Sequence, residues 1–298
     1  MTPAGRMPST DWLVKATAAD KTVRALTAVT TGLVEEARAR HQTAPTASAA
    51  LGRALTAGLL LGSMLKEDET LSLQFLGNGP LRGILVDVNA RGEVRGFVYH
   101  PRTHLPIRHG KLDVGGAVGA GTLTVIRAQP WAKEPYRSIL PLVSGEIGSD
   151  IAHYLLHSEQ VPSAVSLGVF VQPDETVAAA GGFVVQVMPG ASADAIAQLE
   201  ANVAQAKPVS QMVSEGATPQ MILSQVLSGF GPVVVGEFPV RFACRCNRER
   251  VLGALVALGQ AEIEDLLVKE GQAVVTCDFC DEQYTVSREE LAALLVPR

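Results

Sequence analysis

The chain has 298 residues, 47% hydrophobic, 18% charged and 5% aromatic, with a formal net charge of −5. That length predicts roughly two domains of about 150 residues each. In the apolar zone of the chain the uncharged stretch from Ala54 to Leu65 has 12 residues and includes Gly and Ser, well short of the ~20 apolar residues needed to span a bilayer, so no membrane partner is expected. Residues 1–190 carry 17 basic and 16 acidic side chains, 191–238 carry 1 and 4, and 239–298 carry 7 and 10. Phosphate contact supplies most of the affinity of a nucleic-acid binder, and with no basic domain a nucleic-acid partner is not expected either. The N-terminus, MTPAGRMPSTDWLVK, lacks the apolar run of a signal peptide, which predicts a cytoplasmic protein.

Residues 1–190 read as one α+β, β-rich core domain. Trp12–Ala18 and Thr22–Val29 are strand-compatible, and a helix is predicted from near Thr31 through GLVEEARARH. Thr46 is the predicted cap of a second helix reaching about Leu65, with an Ala, Leu and Gly content that suits burial on most sides. Leu71, Leu73 and Phe75 alternate with Ser72 and Gln74 at the strand period. After the turn Gly77-Asn78-Gly79-Pro80, ILVDV and EVRGFVY flank Asn89–Gly92 as a hairpin. Further strands are predicted at Thr122–Arg127, Tyr136–Val143, Ala164–Val171 and Gly182–Met188, with a helix over IAHYLLHSE opened by Ser149 or Asp150. Short turns favour antiparallel pairing.

Two glycine-rich segments in this domain could be mistaken for phosphate loops. Gly77-Asn78-Gly79 runs into Pro80 and strands, without the Lys-Ser/Thr pair, and reads as a turn. GGAVGAG (115–121) lacks a following helix and ribose-binding acid and reads as a loop. His153 and His157 stand at i, i+4, but Tyr154 replaces the glutamate of a zinc-protease motif. His100, His104 and His109 read as loop histidines. With no nucleophilic constellation singled out, the chain is not expected to be an enzyme.

Residues 191–238 read as a helical linker. Ser192 precedes a helix bearing Ile196, Leu199 and Val203 at helical spacing, which Pro208 ends. Thr218-Pro219 then supply an N-cap and first-turn proline for MILSQVLSGF. The faces bearing Ile196, Leu199, Met221 and Leu227 are either docked between domains or a surface that docks reversibly; in the second case they are the candidate contacts for other polypeptides.

The tail, 239–298, reads as a compact unit: PVRFACRC as a strand, helices over RERVLGALVAL and AEIEDLLVKE stopped by Gly271, then a QAVVTC/EQYTVS hairpin. Ser287 and Glu290 form a capping box for REELAALL. All four cysteines lie here, as Cys244-Arg245-Cys246 and Cys277-Asp278-Phe279-Cys280. Four clustered soft ligands predict one closed tetrahedral Zn²⁺ per chain rather than a disulfide scaffold. Arg241, Arg245, Arg248 and Arg250 are positioned to offset the thiolate charge. Two other classes remain at this point: a zinc-ribbon nucleic-acid module, against which the tail's acidic balance counts, and a thiol oxidoreductase built on CDFC, which lacks a βαβ context.

The whole pattern resembles the bacterial thirty-three-kilodalton redox-regulated heat-shock chaperone family, heat shock protein thirty-three. The resemblance runs through QFLGNGPLRG (74–83), YRSILPLVSGEIGSDIAHYLLHSEQVPSAVSLGV (136–169), AAGGFVVQVMPGA (179–191), FACRCNRERVLGAL and CDFCDEQYTVS. It implies an ATP-independent holdase for unfolding client proteins. Its reduced form holds zinc through Cys244, Cys246, Cys277 and Cys280 and is largely inactive. Oxidation is implied to form Cys244–Cys246 and Cys277–Cys280 disulfides, release the metal, unfold the tail, loosen the linker and favour a homodimer.

Overall fold

The computed structural model describes residues 11–295; the segment before residue 11, part of the stretch inspected for a signal peptide, lies outside the described residues. In chain order the elements are β1 (Trp12–Thr17), β2 (Val23–Val29), α1 (Thr31–His41), α2 (Pro45–Gly62), β3 (Thr70–Gly77), β4 (Gly83–Asn89), β5 (Glu93–Val98), α3 (Val114–Val118), β6 (Gly121–Ala128), β7 (Tyr136–Pro141), α4 (Gly148–His157), β8 (Ser163–Val171) and β9 (Val177–Val187). There follow α5 (Ala193–Gln205), α6 (Val209–Ser214), α7 (Pro219–Val226), β10 (Val233–Pro239), β11 (Arg241–Phe242), α8 (Arg248–Leu258), α9 (Gln260–Lys269), β12 (Ala273–Thr276), β13 (Gln283–Val286) and α10 (Arg288–Leu294). The chain divides into two compact units, 1–243 and 244–298.

Among the described residues, the first unit holds a sheet ordered β10-β1-β2-β9-β8 and a second ordered β11-β5-β4-β3-β6-β7. Pairing is antiparallel throughout except for β11, which runs parallel to β5. Helix α2 packs against β8 and β9 of one sheet and β3, β4 and β5 of the other. That placement explains why it is apolar on every side: from Thr46 to Gly62 only Arg53 escapes full burial. A helix between two sheets has no solvent face on which to carry charge. No helix among the described residues is long and apolar enough to cross a membrane.

Several local expectations are corrected. α2 is capped by Ala44 with Pro45 in its first turn, not by Thr46, and it ends at Gly62. Proline is preorganised for the first helical position and has no N–H to leave orphaned. Thr46 instead accepts the Leu105 N–H at 3.1 Å and bonds His104 Nδ1 at 3.1 Å. The first four residues of GGAVGAG, with Val114 before them, form α3 (Val114–Val118), capped by Asp113. It lies against the Gly77–Leu81 turn, with the Gly79 and Leu81 N–H groups donating to Val118 and Ala117 carbonyls at 2.9 Å. A Cβ at Gly79 would stand 2.3 Å from the Ala117 carbonyl oxygen, so that glycine serves backbone packing rather than a phosphate.

Residues 191–238 supply elements of the first unit's core. Ser192 and Thr218 cap α5 and α7 as expected. The structure adds helix α6 after Pro208 and strand β10, in which Val233 and Val234 pair with Thr17 and Ala16 of β1 and Val235 falls at a register shift. Leu199, Val209, Met212, Ile222, Leu223, Val226 and Leu227 bury into one cluster with Val14, Val23, Phe183 and Val185. Of the four candidate contact residues, Leu199 and Leu227 are therefore core, Ile196 is half-buried, and Met221 is 59% exposed. Leu227→Ala is expected to destabilise the first unit by about 2–5 kcal/mol. Met221→Ala is expected to stay within about 0.5 kcal/mol of the parent. Urea denaturation of the two variants reads the difference directly.

Candidate metal centre

The second unit has few apolar groups with which to hold itself together. Its buried hydrophobic cluster consists of Val251, Leu255, Ile263, Ala273, Val286 and Leu291, with Tyr284 and several leucines packed around it. A unit of this size commonly needs a metal or disulfide in addition to its core.

The two cysteine pairs reach one point from different structures. Cys246 is followed by Asn247, an extended residue (φ −155°, ψ 169°) whose side chain caps α8 by accepting the Arg250 N–H at 2.9 Å. The second pair forms the turn of the β12–β13 hairpin. The Cys277 carbonyl accepts the Cys280 and Asp281 N–H groups at 3.2 and 2.8 Å, and the Cys277 N–H donates to the Glu282 carbonyl at 3.0 Å. Asp281 adopts a left-handed conformation, φ 59°, which aspartate tolerates better than most residues.

Cys244, Cys246, Cys277 and Cys280 thereby bring four sulfurs within 4.8 Å of one another. The Cys244–Cys277 sulfurs are 3.7 Å apart and the Cys246–Cys280 sulfurs 3.3 Å. A tetrahedral ion with metal–sulfur bonds of about 2.3 Å sets its sulfurs about 3.8 Å apart, so the cage is of the right size. Burial, and then crowding by the other sulfurs, pushes the Cys277 and Cys280 thiols up, although each accepts a backbone N–H, from Phe279 and Glu282 respectively. A soft divalent cation is what such a cluster needs in order to ionise. The donor set fits zinc.

The arginines are arranged differently from expectation. Arg248 makes a bidentate ion pair with Glu290 and also donates to the Thr285 carbonyl at 2.9 Å. It holds the Glu290 carboxyl below the usual carboxylate range and ties α8 to α10, where the Ser287–Glu290 capping box forms as expected. Arg241 pairs with Glu93 in the first unit. Arg245 and Arg250 are exposed. A polar side chain that does reach a sulfur is Tyr284, whose hydroxyl donates to Cys246 Sγ at 3.2 Å. This bond, with burial beside it, pushes the Tyr284 hydroxyl up to about 12. The alternation of EQYTVS puts Tyr284 on the face of buried Val286 but does not indicate the contact with sulfur.

The remaining sequence candidates do not join this centre. His153 and His157 lie against each other on α4, with ring centroids 4.3 Å apart and planes tilted by 55°. Ile196 and Leu199 line an apolar cavity of about 420 Å³ with Ala164, Val185 and Val203 in the first unit.

A family model described as Hsp33 protein matches residues 11–287. The 33 kDa chaperonin of Geobacillus kaustophilus is 50% identical over 286 residues, covering 95% of this chain and 97% of the relative. That of Bacillus subtilis is 47% identical over the same length, covering 95% and 98%. The crystal structure of the 33 kDa chaperonin, a heat shock protein 33 homologue, from Thermotoga maritima superposes with a TM-score of 0.91 at 37% identity, covering 96% of this chain and 98% of that one.

If the four thiols are the staple of the second unit, chelation or Cys277→Ser should abolish hydrogen-exchange protection in 244–298 while leaving β1–β9 protected. Structural zinc is worth ~10–16 kcal/mol in small peptides. Metal analysis of reduced protein should return one zinc per chain. Equal protection of the tail with and without metal would mean that its core suffices.

Proposed function

The chain belongs to the Hsp33 family of chaperones, and from that premise we propose that it is a redox-controlled, ATP-independent holdase that binds unfolding proteins under oxidative stress in the cytoplasm. In the reduced form Cys244, Cys246, Cys277 and Cys280 hold one zinc per chain. When bound, zinc supplies a closed four-sulfur crosslink and keeps the thiolates ionised. The observation that carries the reading is the convergence of four sulfurs within 4.8 Å in a unit with so small a core.

Oxidation by a hydroperoxide converts the near neighbours Cys244–Cys246 and Cys277–Cys280 to disulfides. Each pair of thiols with one hydrogen peroxide gives one disulfide and two waters. Such bridges close very short loops, so they constrain the unfolded chain only locally and do not replace a crosslink between segments 30 residues apart. The tail then loses its staple and unfolds.

Client binding is assigned to the faces of α5 and α7 that carry Ile196, Leu199, Met221 and Leu227. Met221 is already accessible, whereas Leu199 and Leu227 become so only if the helices lift from the sheet that buries them. Apolar contact is non-directional, which suits many clients and needs no nucleotide. Activation also favours a homodimer.

The test is light scattering from a thermally unfolding enzyme mixed with either redox form. Oxidised protein should suppress aggregation and reduced, zinc-loaded protein should do so weakly. Equal suppression by both forms would make the chaperone constitutive. Sedimentation of the two forms checks the dimer.

A further inference from the structure

Each sulfur of the C-x-x-C pair accepts a backbone N–H, Cys277 from Phe279 and Cys280 from Glu282. No side-chain substitution removes those donors. Cys246 accepts a donor of another kind, the phenolic hydroxyl of Tyr284 at 3.2 Å. The ring that carries it is fixed twice, by the β12–β13 register, in which Tyr284 faces Val275, and by packing on the unit's small apolar cluster. The hydroxyl is therefore held in place by the fold rather than by its bond to sulfur.

An O–H donor on a thiolate draws charge from the sulfur. That weakens its attack on an oxidant and holds the sulfur in the orientation in which it faces a shared ion. From this geometry we propose that Tyr284 is a positioning residue that restrains Cys246, setting how fast the centre gives up its metal to a hydroperoxide. The proposal rests on the reading of the four cysteines as a zinc centre. The step it governs is attack of the Cys246 sulfur on the peroxide O–O bond. That bond breaks, the sulfur is oxidised to a sulfenic acid and hydroxide leaves. A second thiol then displaces the sulfenic oxygen, and with the thiol's proton it departs as water, leaving the disulfide. Loss of the hydroxyl speeds the first of these events.

The experiment uses the full-length, reduced, zinc-loaded chain and Tyr284→Phe, which deletes the hydroxyl and keeps the ring. Zinc release under hydrogen peroxide is followed with a chromogenic chelator. Alkylation at timed intervals, read by mass spectrometry, gives the order in which the cysteines disappear. Disruption of groups around metal ligands commonly changes metal affinity or activity by about 10–100-fold, and release is expected to be about tenfold faster in Y284F, with Cys246 moved to the front of the order.

Hydrogen exchange on zinc-loaded Y284F should match the parent, separating this effect from loss of fold. A second arm needs no deletion. Uniform 3-fluorotyrosine strengthens the donor, and of Tyr99, Tyr136, Tyr154 and Tyr284 only the last lies in 244–298. Release should then be slower than in the parent. Unchanged rates and an unchanged order of oxidation in both arms would overturn the role of Tyr284. A parent protein that binds no zinc, or keeps it under peroxide, would instead overturn the zinc-switch reading itself.

Discussion

Four sulfurs gathered within 4.8 Å of one another cannot all be ionised without a cation, and the unit that gathers them has only a small apolar cluster and the Arg248–Glu290 pair beside them. Burial and mutual crowding favour the protonated thiols, so each half of the centre depends on what occupies the space between them. The surrounding features serve that arrangement. Asn247 starts α8 directly after Cys246, the hairpin turn presents Cys277 and Cys280, and Arg248 locks α8 to α10 through Glu290. In small domains that bind a metal through such thiols, metal binding is coupled to folding.

The first unit is organised on the opposite principle. Its stability is spread over two sheets, the helix between them and a second helical layer, α5–α7, that covers β1, β2 and β9. That layer holds Leu199 and Leu227 in the same cluster as Val14 and Phe183. A chaperone needs apolar surface for its clients, yet here much of the candidate surface is part of a folded core. Lifting the layer exposes its own underside and the sheet beneath it, so its release carries a cost that must be offset by client contact or by partnering with another apolar face.

Much of this was legible in the sequence because the signals were local. The caps Ser192 and Thr218 and the Ser287–Glu290 box follow from contacts a few residues apart, and the alternation at Leu71–Phe75 and the C-x-C and C-x-x-C spacings are patterns readable within a few residues. What escaped was set by distant partners. β10 forms because β1 offers it an edge, and Thr46 is drawn away from capping by Leu105 and His104. Arg248 turns to Glu290, 42 residues on, rather than toward the sulfurs. Tyr284 was overlooked because a tyrosine in a short strand has many ordinary explanations, and only the folded hairpin directs its hydroxyl at Cys246.

The position of α2 between the sheets has a consequence for how this sequence can drift. Three of its glycines lie where the neighbouring elements come closest. A Cβ at Gly52 would fall 2.6 Å from a Val34 methyl, at Gly58 2.8 Å from Val86, and at Gly62 2.6 Å from Val88. Even alanine at these sites forces the facing valine side chain to shift in a packed core, and a larger residue would press on the layers themselves. Gly253 on α8 in the metal-bearing unit would meet nothing within 4 Å. Mutational tolerance is therefore unevenly distributed. The buried helix accepts little change over most of its length, whereas α8 has room for alanine at Gly253.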